Sequence, residues 1–102
     1  MDKKKEQEVK LEIQLDEEIA QGAYINLAVM NHSDTEFTLD FIFVQPQSPR
    51  AKVRSRVITS PRHARRLLLA LEENIRKYEQ KFGPIDPGPK GAATSEQVGN
   101  YH

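Results

Sequence analysis

Apolar and polar residues alternate along the first half of the chain. Residues 8–15 alternate strictly, and residues 23–32, 37–45 and 51–59 alternate with less regularity. A period of two residues is typical of strands whose two faces meet different surroundings. The polar and proline-containing segments between these stretches are short, so the pattern predicts four strands with tight connections.

Residues 60–83 follow a helical spacing instead and predict one long amphipathic helix. Ser60 is a good N-cap, and Pro61 suits the first helical position because its missing N–H has no partner to lose. Gly83 can adopt the left-handed conformation that ends helices, and Pro84 prevents continuation. The apolar stripe recurs at steps of four and three residues, as in helices that pack along one face. Its members are Ala64, Leu68, Leu71, Ile75, Tyr78 and Phe82, widened by Leu67.

This order of elements predicts an α+β domain, with a four-stranded antiparallel sheet followed by one long amphipathic helix packed on one face (ββββα). Residues 1–7 are predicted to be a flexible leader, residues 8–83 a single domain, and residues 84–102 a disordered tail rich in proline and glycine. The helix is expected to cover the more apolar sheet face. That face carries Val9, Leu11, Ile13, Phe37, Leu39, Phe41, Phe43, Val53 and Val57.

The opposite face of the predicted sheet is also partly apolar, although a sheet with one wet face should be polar there. A domain of about 75 residues is marginally stable alone, and the chain has no cysteine for disulfides. We therefore expect a homo-oligomer, most simply a dimer. A larger core within a single chain and a client-binding groove are the alternatives. The predicted oligomer interface consists of Ile25, Leu27, Val29, Ile42, Val44 and Leu69.

Charge is unevenly distributed, although the net charge is zero and argues against a generally basic nucleic-acid binder. Residues 41–71 contain no acid and seven lysines and arginines. Cations in a first helical turn oppose the helix dipole, and a bound anion would reverse that effect. The predicted anion- or partner-binding surface consists of Arg50, Lys52, Arg54, Arg56, Arg62, His63, Arg65 and Arg66. Three readings remain open, namely pairing with Glu12 or residues 16–18 of the same chain, an acidic protein partner, and a phosphate backbone.

Little in the sequence suggests catalysis, so no enzyme, catalytic residue, metal or cofactor is expected. His32, Ser33 and Asp34 are adjacent in a turn, where neighbours point apart and do not form a triad. The three histidines are widely spaced, and no glycine-rich phosphate loop is present. Asp40 stands inside an apolar strand and is expected to face a solvated strip or an arginine such as Arg54. The chain has no signal peptide or long apolar run, so a cytoplasmic protein without membrane contact is expected.

Two segments carry a resemblance to a known family, GAYINLAVMNHSDTEFTLDFIFVQP and AKVRSRVITSPRHARRLLLALEENIRKYEQKFG. With the gap between them they span residues 22–83 and resemble one of the numbered bacterial and archaeal families called "domain of unknown function". The motifs NLAV, EFTLDF, AKVRSR and TSPRHARRLL are the most specific. The family has no assigned reaction. In Bacteroidetes such genes often follow the gene for the RNA polymerase β′ subunit, so the resemblance implies a role linked to transcription.

The function expected from these observations is that of a non-enzymatic, oligomeric protein-interaction module. RNA polymerase or another acidic protein is the expected partner, as for an accessory protein of transcription. One alternative is a single-stranded nucleic-acid-binding protein that uses the basic strand-helix face. Another is a holdase chaperone like SecB. The single-strand-DNA-binding fold of the eukaryotic transcriptional positive cofactors and the SecB fold share the predicted order of elements, but topology does not fix function.

Overall fold

The structure, a computed structural model, describes residues 10–89 and has an α+β fold. Its three strands form one antiparallel sheet in the order β1-β2-β3, and a long helix follows, which confirms the predicted class. The elements are α1 (Glu17–Ala20), β1 (Leu27–His32), β2 (Phe37–Val44), β3 (Ala51–Thr59) and α2 (Pro61–Phe82). The predicted leader, residues 1–7, and the predicted tail from residue 90 onward lie outside the described residues.

The fourth strand, predicted at residues 8–15, is not present among the described residues. Residues 10–16 form neither strand nor helix, and the alternating Leu11, Ile13 and Leu15 are all exposed. Asp16 then begins the short helix α1, whose first turn carries Glu17 and Glu18. Alternation becomes a strand only where a sheet edge pairs with it, because an isolated strand cannot satisfy its backbone. Within the single chain, no edge pairs with this segment in the described part.

Strand β3 has the predicted extent, and β2 begins as predicted but ends one residue early, at Val44. β1 begins at Leu27 rather than at residue 23. Just before it, the Asn26 side chain replaces a ladder pair, because its Nδ2 donates to the Val44 carbonyl at 3.0 Å and its Oδ1 accepts from the Val44 N–H at 2.8 Å. The side chain of Asn26 therefore ends the β1–β2 pairing at the point where the predicted strand would have continued.

A β-bulge changes which residues of β3 share a face. Phe41 pairs with Ser55 and the next residue of β2, Ile42, pairs with Val53, so Arg54 is the extra residue. Residues directly opposite each other in an antiparallel pair lie on the same face. Beyond the bulge, Lys52 therefore joins the face of Phe43. The alternation of residues 51–59 predicts that Lys52, Arg54 and Arg56 share one face of the strand, and this prediction is wrong because the bulge reverses the alternation between them.

The buried core lies on the sheet face that carries the even-numbered residues of β2. Leu27, Val29 and Ile42 form one buried cluster, and Val44 packs against it. These four belong to the predicted oligomer interface. In the single chain they are core residues with little surface left for a partner, while Ile25 is half-buried and Leu69 is exposed.

Helix α2 has the predicted ends. The Ser60 side chain accepts from the His63 N–H at 3.1 Å, Pro61 occupies the first turn, and Gly83 is the C-cap. Gly83 has φ 97° and ψ 171°, an extended region with positive φ that is essentially restricted to glycine, rather than the predicted left-handed helical conformation. The predicted packing of α2 on the sheet is not seen within one chain. The helix buries no residue, and the extensive contacts among the described elements join neighbouring strands.

Candidate anion-binding surface

An open cleft of about 750 Å³ lies beside the β2–β3 hairpin connection. Three cationic side chains, those of Arg50, Lys52 and Arg54, line it. Its other walls are formed by Phe43, Gln45, Pro49 and Ala51. We call this feature the basic cleft. It combines an apolar wall with three positive charges, which lie at every second position of the sequence from residue 50 to residue 54.

The hairpin connection is fixed by backbone hydrogen bonds. The Gln45 N–H donates to the Arg50 carbonyl at 3.0 Å, which closes the loop, and the Ser48 N–H donates to the Gln45 carbonyl at 3.4 Å. Pro49 limits the backbone freedom of the loop further. Arg50 therefore leaves the loop at a defined point, directly before β3 begins.

The bulge at Arg54 is what brings the cations to the cleft. The bulge pairs Lys52 with Phe43, so that both side chains lie on the same face of the sheet, and it makes Arg54 the extra residue that interrupts the alternation of β3. With regular alternation, Lys52 would lie on the other face of the sheet from Phe43. The cleft therefore depends on one extra residue in an edge strand, a position where bulges are common.

Tyr24 and Phe43 add an aromatic pair next to this cleft. Their ring centroids are 6.3 Å apart, and the rings meet edge to face at 75°. Phe43 is half-buried, whereas Tyr24 is 76% exposed and offers its ring to solvent. The cleft thus has an accessible aromatic ring near its cations.

Arg56, also predicted to bind anions, is already engaged within the chain. Its Nε donates to Asp40 Oδ1 at 2.7 Å and its Nη2 donates to Asp40 Oδ2 at 2.9 Å. Asp40 is completely buried, and this bidentate ion pair compensates its charge. The structure confirms that Asp40 faces an arginine, but the register selects Arg56 rather than Arg54.

The remaining predicted cations surround the start of α2. His63 and Arg66 line a second groove, of about 380 Å³, with Val57, Thr59 and Leu67. Arg62 and Arg65 are exposed and do not line this groove. Along β3, Arg54 of the basic cleft and Val57 of this groove are three residues apart, roughly 10 Å. The eight predicted residues therefore divide among two neighbouring clefts, one internal ion pair and two exposed arginines.

The acids that were candidates for internal pairing do not meet these cations. Among residues 10–89 the ion pairs are Arg56–Asp40 and Lys77–Glu73. Residues 16–18 are exposed, and Asp16 accepts from the Gln14 side-chain amide at 2.8 Å. Within the described part of the chain, the charges of the basic cleft have no acidic partner.

Sequence comparison assigns the chain to a protein family. The model of DUF3467, described as a protein of unknown function, matches residues 1–87, which is most of the chain. The chain belongs to the DUF3467 family. No curated protein and no solved structure is significantly similar to it.

The family assignment confirms the resemblance noted above to a domain of unknown function and extends it from residues 22–83 to residues 1–87. The matched region includes all of the strands and helices described for this DUF3467 member. The basic cleft and the groove at the start of α2 both lie inside it.

Two properties of residues 10–89 bear on the chemistry open to the chain. Nowhere in this range do three histidine or carboxylate side chains come close enough together to hold a metal ion. None of the described helices combines the length and apolar character that a membrane crossing requires.

Sequence reasoning found the cations of the basic cleft but missed its aromatic wall and the bulge. Phe43 was assigned to a buried face and Tyr24 to an ordinary strand position. An Arg-Ser-Arg run in an edge strand does not by itself signal a bulge, since the extra residue appears only when the partner strand is aligned.

Proposed function

We propose that this DUF3467 member is a non-enzymatic interaction module that works as a homo-oligomer and binds an acidic protein surface through the basic cleft. The observation that carries the proposal is the convergence of Arg50, Lys52 and Arg54 on one open cleft without an acidic partner in the described part of the chain. Three cations at close quarters repel one another, and an acidic ligand relieves that repulsion.

An acidic protein surface suits this cleft better than a small anion. The cleft is open, and four of its seven lining residues are apolar or uncharged, as in an interface where a few charges surround apolar contacts. Charges at the rim of such an interface accelerate association and select the partner. The resemblance that implies a role in transcription makes RNA polymerase the first partner to test.

The test measures binding of the full-length chain to a fluorescent peptide of consecutive glutamates and to purified RNA polymerase. We expect the double variant Lys52→Glu/Arg54→Glu to weaken both interactions at least tenfold, because it turns attraction into repulsion. Affinity for the peptide should also fall as salt rises. The double variant Arg76→Glu/Lys77→Glu is the matched control, since it reverses two exposed charges on α2 that do not line the cleft. It should change affinity less than twofold. Equal binding by the double variant and the control would contradict the proposal.

The exposed aromatic ring favours single-stranded nucleic acid as a second candidate. Bases stack on exposed aromatic side chains, each contributing roughly 1–3 kcal/mol, while cations follow the phosphates. Tyr24 contacts Phe43, and Phe43 lines the cleft together with Arg50 and Lys52. Tyr24→Ala should weaken binding of a labelled single-stranded oligonucleotide at least fivefold and leave binding of the acidic peptide unchanged. If the oligonucleotide does not bind at about 50 mM salt, this candidate fails.

A further inference from the structure

The apolar stripe of helix α2 is uncovered in the single chain. Its side chains are between 39% and 64% exposed, although their spacing is that of a helix that packs along one face. They are Leu67, Leu68, Leu71, Ile75, Tyr78 and Phe82. Together they expose on the order of 600 Å² of apolar surface, which is at the upper end of what monomeric proteins leave open.

A second apolar surface is open on the sheet, on the face that carries the odd-numbered residues of β2. We call it the aromatic face. The register places Phe37 and Phe41 there, each half-buried, around the buried Leu39, and this face ends at Phe43, where the basic cleft begins. Met30 and Val57, which flank Leu39 on the neighbouring strands, remain 54% and 41% exposed. A sheet face of this composition normally packs against a helix or a second sheet.

The connection between β3 and α2 explains why the chain does not cover this face with its own helix. Only Ser60 separates Thr59, the last residue of the strand, from Pro61, the first of the helix. Connections that return a helix over its sheet usually have 2–6 residues. Ser60 is extended, with φ −79° and ψ 160°, and is fixed as the N-cap. The helix therefore approaches the sheet only at its first turns, where Leu67 shares a groove with Val57.

We propose that a second copy of the chain completes the fold, with the α2 stripe of each protomer packed on the aromatic face of the other. The two surfaces match in length. The stripe from Leu71 to Phe82 rises about 17 Å, and the five residues of β2 from Phe37 to Phe41 span about 17 Å, so a contact of this length ends before the basic cleft. Each protomer would contribute both a helix stripe and a sheet face, and the two contributions add toward the ~800 Å² per partner of a standard stable interface.

A reciprocal exchange accounts for the open surfaces better than pairing of the two helices. Helix–helix pairing would cover the stripes but leave both aromatic faces in water. The exchange covers both surfaces and keeps the polar side of α2, which includes Arg62, Glu73 and Gln80, in solvent. It also leaves the Leu27, Val29 and Ile42 cluster as the core of each protomer. Leu69, which points away from the stripe, would remain outside the contact.

This inference rests on the homo-oligomer in the proposed function, so its test separates the two. Native mass spectrometry of the full-length chain gives the oligomeric state first. A photoreactive phenylalanine analogue at position 78 is then activated in a mixture of labelled and unlabelled chains. We expect crosslinks between protomers from position 78 to peptides that contain β1, β2 or β3. The same probe at position 80, on the polar side of the helix, should give no such crosslinks.

Crosslinks from helix to helix, or within one chain only, would overturn the exchange while leaving the oligomer in place. A monomer would overturn both, and a monomer that protects an unfolded client through its stripe would point to the holdase. Binding of the acidic peptide by the basic cleft is tested separately, by the charge-reversal variants described above.

A variant pair gives an independent readout. Ile75→Glu places a charge in the stripe, and Gln80→Glu places the same charge on the opposite side of the helix. We expect Ile75→Glu to raise the dissociation constant of the dimer at least 100-fold and Gln80→Glu to change it less than threefold. Equal effects of the two variants would contradict the proposed contact.

Discussion

Asp40 is the buried charge on the sheet face that carries the Leu27, Val29 and Ile42 cluster. It is completely buried in the middle strand beside Val29, and its carboxylate is held by two hydrogen bonds from Arg56. A buried charge is tolerated only when its partner is present with good geometry. The register places the two side chains directly opposite each other, so a shift of β3 by one residue would separate them. The ion pair thereby specifies the alignment of β3.

Replacing the arginine tests this role. Arg56→Met leaves the buried carboxylate without its guanidinium and should lower the free energy of unfolding by about 3 kcal/mol. Arg54→Met makes the same chemical change two residues away and should cost less than about 0.5 kcal/mol, because the Arg54 side chain is exposed. Urea denaturation measures both. A double variant, Asp40→Leu/Arg56→Met, should recover most of the loss. Similar midpoints for the two single variants would show that the ion pair does not stabilise the sheet.

At the scale of the elements, the sequence predicted what is local and missed what depends on pairing. The extents of β3 and the ends of α2 follow from strong local signals, namely alternation, an N-cap serine followed by proline, and a terminal glycine. Residues 8–15 alternate just as clearly, yet residues 10–15 form no strand, because the alternation does not specify which edge would receive them. The bulge at Arg54 was missed for the same reason.

The limits of prediction at the candidate site have the same origin. The cations of the basic cleft were found from composition alone. The positions of these cations relative to Arg56 and to the start of α2 could not be predicted, because they depend on the register and on the length of β3. Leu27, Val29 and Ile42, predicted as part of an oligomer interface with a larger core in one chain as the alternative, cluster within one chain. Apolar composition identifies a face that must be buried, but it does not show whether another part of the chain or a partner covers that face.

The start of α2 offers a test at this scale. The Ser60 hydroxyl caps the helix through the His63 N–H, and no acid lies in the first turn to offset its arginines. Ser60→Ala should lower the free energy of unfolding by about 1 kcal/mol. Ser60→Asp should keep the cap and add a favourable charge at the positive end of the helix dipole, so its stability should equal or exceed that of the wild type. Urea denaturation with circular dichroism of the helix would measure both. Equal losses for the two variants would show that capping is not what Ser60 contributes.

At the scale of the whole molecule, the single chain has a small core. Among the described residues four apolar side chains are buried, those of Leu27, Val29, Leu39 and Ile42, while the 22-residue helix buries none. Isolated helices and small sheets are marginal in water, and the apolar stripe of α2 needs a surface to pack against. For this reason we propose an oligomer as the stable folded unit of this DUF3467 member.

Sedimentation of the purified full-length chain over a range of concentrations tests this view most directly, combined with thermal unfolding of the same samples. We predict a species of at least twice the 11.7 kDa of one chain, and an unfolding temperature that rises with protein concentration because association stabilises the folded state. A chain that sediments as a monomer at every concentration, and unfolds cooperatively at one fixed temperature, would contradict the account.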